Sequence, residues 1–159
     1  MQRTEALQLL KQYITRKSLL KHCLATEAIM RALAEKFGED SEKWALTGLL
    51  HDIDFELTEA SSDKKPPEQH GIKCKEILEG KVPEDILRAI QSHVYQNTNV
   101  FPKSKMEIAL LAADSITGLI IAAALVKPEK KLSACTPKTI KKAFKKKGFA
   151  AGSDRNKIK

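Results

Sequence analysis

Helical periodicity runs through almost the whole of this 159-residue chain, and no stretch reads as a strand. Apolar residues recur at helical spacing, as in Leu19, Cys23, Met30, Leu33 and Phe37. Alternation of period two never lasts more than a few residues, and aromatic residues amount to only 5%. The start and stop signals predict helices over about 4–14 with Thr4 as cap, from after Ser18 to Gly38, and from a cap at Ser41 to about His51 and Asp52. Further helices are expected over about 67–79, from Pro83 to about His93, over 104–125 and over 137–147. Residues 55–67 and 94–103 read as irregular, and 154–158 as the start of another helix. The fold class is therefore all-α, a single helical bundle of about six to seven helices.

With 42% hydrophobic residues, a chain of this length can bury a substantial core. The most apolar stretch, 116–126, falls short of the roughly 18 residues that a spanning helix needs, so no membrane span is expected. The N-terminus is charged and has no apolar segment of the secretory type, which makes the cytoplasm the expected location. Cys23, Cys74 and Cys135 form no C-x-x-C pair, so reduced thiols are expected, the first two filling helix cores. The net charge of +8 is unevenly spread. Residues 127–159 carry twelve Lys/Arg against two Asp/Glu, whereas 1–126 carry sixteen against eighteen. The basic C-terminal helix or tail belongs to the main domain (1–150) or moves apart from it. A block of this kind suits a solvated face or a nucleic-acid contact.

The polar residues that fall on apolar stripes carry the chemistry. The four histidines, His22, His51, His70 and His93, all lie on or beside the inward face of their expected helices. Asp114 follows Leu110 and Leu111 along the same stripe of the longest helix, and Asp52 follows His51 directly. A buried carboxylate is costly unless paired or bound to a metal, and no Arg or Lys shares these stripes. One metal centre accounts for all of these placements together.

The ordered series His22, His51-Asp52, His70, His93, Asp114 resembles the HD superfamily of metal-dependent phosphohydrolases, and in particular its dinuclear branch. The segment Gly48-Leu49-Leu50-His51-Asp52-Ile53-Asp54 is similar to that family's LLHDIG core, with Asp54 in place of the usual glycine. Here the aspartate is expected to alter the contour after the motif and to leave metal binding intact. The resemblance covers about 18–125 and implies an HD-domain helical bundle. It also implies that His22, His51, Asp52 and Asp114 hold a first metal, with Asp52 bridging to a second completed by His70 and His93. The nitrogen- and oxygen-rich donor set suits iron, manganese, cobalt, nickel or zinc, two ions in all. Backbone carbonyls, Thr26, Thr47, Thr117 and Ser92 are candidates to hold the free imidazole N–H groups.

These expectations describe a hydrolase that attacks a nucleotide or other small phosphorylated metabolite with metal-activated hydroxide, Asp52 fixing the cluster and passing a proton. Lys64 and Lys65, shortly before His70, are the expected phosphate-binding cations. Two alternatives share the same ligands or the same charge distribution. One is a di-iron oxygenase of the HD fold. The other is a metal-stabilised binding module whose basic segment binds nucleic acid. The sequence assigns no substrate and no oligomeric state.

Overall fold

Gln2, and not Thr4, starts the first helix, α1 (Arg3–Tyr13). Its backbone N–H is accepted by the Glu5 carboxylate at 2.7 Å, which places the acidic side chain in the first turn, where the helix dipole favours it. The second helix, α2 (Lys17–Phe37), ends at Gly38 as expected. Asp40 takes over the capping expected of Ser41: its carboxylate accepts from the Lys43 N–H at 3.0 Å and opens α3 (Ser41–Leu50).

The structure is a computed structural model that describes residues 1–60 and 67–159. Among the described residues it is all-helical and has no strand. The chain forms two compact units, Met1–Leu110 and Leu111–Lys159.

The first unit continues with α4 (Phe55–Glu59), α5 (Cys74–Leu78), α6 (Glu84–Ser92), α7 (Tyr95–Thr98) and the start of α8 (Lys105–Leu125). Its main helix pairing is α2 with α3, while α1 and α6 also pack on α3. Leu10, Cys23, Leu49, Leu50, Ile53, Leu78, Ile86 and Ile90 meet in one buried cluster. Burying such side chains contributes roughly 1.5–3 kcal/mol each before the entropy cost of ordering them. α3 approaches α2 closely at Gly48, where an added Cβ would stand 2.8 Å from the Thr26 carbonyl oxygen and 3.0 Å from the Glu27 nitrogen.

Two stretches differ from the periodicity. Residues 55–59 are helical, because the Thr58 N–H and hydroxyl both find the Asp54 carbonyl. The helix expected over 67–79 is confined to α5, and 68–73 are turns.

The second unit holds the rest of α8, a short 3₁₀ turn (Leu132–Ala134), α9 (Pro137–Lys145) and α10 (Arg155–Ile158). Thr136 caps α9 by accepting from the Thr139 N–H. The Arg155 guanidinium donates to the carbonyls of Phe149, Ala150 and Ser153, gathering the turns that follow α9. By length and composition α8 is long and apolar enough to cross a membrane, so the apolar run is longer than the stretch 116–126 read from the sequence. Asp114 is the one charged residue between Ile108 and Leu125, so the alanines extend the apolar run well before 116. Core helices share this property, and Leu110, Ala113, Leu119 and Ala123 on α8 are buried.

Candidate metal centre

Two histidines occupy equivalent places. His51 is the residue just past α3 and His93 the residue just past α6, both still in helical backbone conformation. At such a position the carbonyl three residues back lacks its usual helical partner. The His51 Nδ1–H donates to the Gly48 carbonyl at 2.8 Å, and the His93 Nδ1–H to the Ile90 carbonyl at 2.5 Å. Each bond consumes an orphan carbonyl and turns the Nε2 lone pair toward a shared centre. The negative ends of two helix dipoles meet there, which favours a cation.

His70 reaches the same centre from a turn. Its Nδ1–H donates to the Asp54 carboxylate at 2.7 Å. Gly71 follows with φ of 80°, and a Cβ there would lie 2.2 Å from a Val94 methyl, so only glycine fits the turn. The Asn97 amide donates to the carbonyls of Pro67 at 2.8 Å and His70 at 3.0 Å, holding the turn from its other side. Phe55 stands edge-on to His70, ring centroids 5.1 Å apart, with the Arg16 guanidinium over its ring.

Asp52 lies at the middle of this arrangement. Its Oδ2 is 3.5 Å from His22 Nε2 and 3.4 Å from His51 Nε2, and its Oδ1 is 3.3 Å from His70 Nε2 and 3.5 Å from His93 Nε2. His22 Nε2 and His51 Nε2 are 3.1 Å apart. His51, His70 and His93 are essentially sealed from solvent, while His22 is part-exposed. Burial works to raise the Asp52 pKa, but the surrounding imidazoles, His51 foremost, hold it well below the usual carboxylate range. Burial opposes charge on His70, and the carboxylates of Asp52 and Asp54 outweigh it, raising its pKa to about 10. Burial also lowers the pKa of His93.

The donor set fits a divalent metal ion. Nitrogen and oxygen donors 2.0–2.2 Å from one ion, and about 90–110° apart around it, stand roughly 3.0–3.5 Å from each other. The separations above fall in that range. Donor atoms of Asp52, His70 and His93 all lie within 4.8 Å of one another, and so do those of Cys23, His51 and Asp52. The Cys23 thiol therefore borders a site that the sequence presented as free of sulfur.

His22, His51, Asp52, His70 and His93 thus converge within the first unit. Asp114 lies on α8 in the second unit, half-buried. Lys64 and Lys65 lie outside the described residues. Of the hydroxyls expected to support the imidazoles, Thr47 donates to the Lys43 carbonyl, Ser92 to Ala89 and Thr117 to Ala113. Sequence reasoning missed Asp54 and Asn97 in this role. An aspartate two residues after the HD pair was the one available signal.

No curated protein and no solved structure matches the chain. A family profile described as HD domain matches residues 19–131, which include every histidine of the centre together with Asp52 and Asp114. The chain belongs to the HD domain family, a family of metal-dependent hydrolases.

Proposed function

We propose that the chain is a dinuclear metal-dependent phosphohydrolase acting on a nucleotide or another small phosphorylated metabolite. One observation carries this reading: the two oxygens of Asp52 face different imidazole pairs, His22 with His51 and His70 with His93. A carboxylate placed in this way serves as a bridge between two donor sets. We assign Asp114 to the first set on the family resemblance.

Bound ions supply Lewis acidity toward a phosphoryl oxygen and acidify water at neutral pH. The protein's own contribution is placement. Backbone carbonyls and Asp54 hold the Nδ1 protons of His51, His93 and His70, so three Nε2 atoms face the centre, and an ion has to displace the Nε2 proton only from His70. Asp52, held ionised by the imidazoles around it, is assigned to fix the cluster and to pass a proton during hydrolysis. Lys64 and Lys65, close before His70 in sequence, are assigned to the substrate phosphate.

The test begins with protein purified without chelator or metal resin. Bound metal per chain is measured for wild type, His70→Ala and His93→Ala. About two equivalents, falling to about one in both variants, is expected, together with phosphatase turnover on a nucleotide panel that does not depend on oxygen. Turnover that consumes oxygen would replace the hydrolase by an oxygenase. Absence of bound metal after reconstitution with manganese, iron, cobalt and nickel would overturn the reading. Replacing Lys64 and Lys65 by alanine is expected to raise KM and leave kcat nearly unchanged.

A further inference from the structure

The residue that departs from the family's usual glycine is fully buried. Asp54 has no solvent exposure, and both its oxygens are engaged: Oδ1 with the His70 Nδ1–H at 2.7 Å, Oδ2 with the backbone N–H groups of Gly71 and Cys74 at 2.8 Å each. A sealed carboxylate needs donors of this kind, or desolvation makes it very costly. Asp54 therefore does more than reshape the contour after the HD pair.

Its position answers a specific structural problem. His51 and His93 end helices and find their Nδ1 acceptors three residues back. His70 lies in a turn, and the carbonyl three residues back, that of Pro67, accepts instead from the His70 N–H and the Asn97 amide. Without Asp54 no helix carbonyl would fix which imidazole nitrogen of His70 carries the proton. The same carboxylate also ties down the two amides that open toward α5. One side chain thus sets both the path of the turn and the polarity of the ring.

We propose that Asp54 is a positioning residue for the second ion, holding His70 by Nδ1–H so that Nε2 is presented beside Asp52 Oδ1 and His93. The inference rests on the dinuclear reading above. Asp54 itself does not touch the ion; it acts through His70, as a carboxylate–imidazole–metal relay. Asp54→Asn separates this role from simple packing. The asparagine oxygen can still accept from Gly71 and Cys74, while its NH₂ then faces His70 Nδ1. The ring must become an acceptor there and carry its proton on Nε2, the wrong tautomer for ligation.

The experiment titrates the metal-free full-length chain with Zn²⁺ by calorimetry, wild type first. Two equivalents are expected for wild type. Asp54→Asn is expected to keep one at wild-type affinity and to weaken the other about 10- to 100-fold, with an unchanged circular-dichroism spectrum. Two sites of unaltered affinity in a folded Asp54→Asn protein would overturn the inference and leave the dinuclear reading standing. A single site, or none, in wild type would overturn the dinuclear reading itself and the inference with it. Long-range ¹H–¹⁵N spectra of zinc-loaded wild type decide the matter even where the variant does not fold. A slowly exchanging Nδ1 proton on His70 with a zinc-bound Nε2 supports Asp54, whereas a proton on Nε2 or ligation through Nδ1 refutes it.

Discussion

Gly48 lies so close to Thr26 that a side chain of even one carbon would stand 2.8 Å from the Thr26 carbonyl oxygen. This contact brings α3 against α2, and with it His51 against His22, whose Nε2 atoms are 3.1 Å apart. The obstacle is backbone, which cannot swing aside as a side-chain end can. Gly48→Ala is therefore expected to lower stability by about 1–3 kcal/mol, as overpacking of a well-filled interior does. Thermal unfolding of the metal-free protein measures it, and an unchanged Tm would show that α3 has room to move.

Asp52 faces four imidazoles, so its loss acts on both donor sets at once. Asp52→Ala is expected to lower bound metal below one equivalent per chain. Hydrolysis should fall by more than the roughly 10- to 100-fold that accompanies loss of an outer partner of a ligand. Elemental analysis and a nucleotide phosphatase assay check the two effects separately. Retention of two ions would deny Asp52 its bridging place.

Glu56 pins the turn between α1 and α2 to α4. Its carboxylate accepts from the Thr15 N–H at 3.0 Å, the Thr15 hydroxyl at 2.8 Å and the Arg16 N–H at 2.8 Å. Burial tends to raise its pKa, but these donors prevail and bring it from 4.5 to about 2. A depressed carboxylate stabilises the fold above its unfolded pKa and loses that contribution as the pH falls through the folded value. Glu56→Gln should thus be less stable than wild type by about 1–3 kcal/mol at pH 7. The gap should narrow below about pH 4.5 and close near pH 2. Melting curves at pH 7, 4.5 and 3 test this, and a gap that stays constant across them would refute it.

The three cysteines differ in reach. Cys23 and Cys74 are fully buried, while Cys135 is part-exposed. Burial, reinforced by the charge of Asp54, also pushes the Cys74 thiol well above its ordinary pKa. In native protein at pH 8 a disulfide reagent should modify Cys135 rapidly and the other two only on unfolding. The fast phase should disappear in Cys135→Ser; a rapid phase that survives in that variant would show that a core thiol is open.

Much of this protein was legible in its residues alone. Helical periodicity is a local property, so α1, α2, α3, α6 and α8 could be read from the spacing of apolar side chains, with errors of a residue or two where Gln2 and Asp40 capped in place of Thr4 and Ser41. His22, His51 and His93 were visible for the same reason, since periodicity tells which face a residue occupies, whereas His70 lies in a turn that no helical period describes. What periodicity cannot tell is which nitrogen of an imidazole faces inward, because that depends on an acceptor supplied from elsewhere. For His51 and His93 the acceptor is the end of their own helix. For His70 it is Asp54, sixteen residues away in sequence, and the turn that replaces the expected helix there forms because Asp54 and Asn97 satisfy backbone groups a helix would have paired internally. The sequence determined a helical fold and the donors of a candidate metal centre. Only the tertiary structure decided how those donors are aimed, since hydrogen bonds between distant segments set the orientation of each ring.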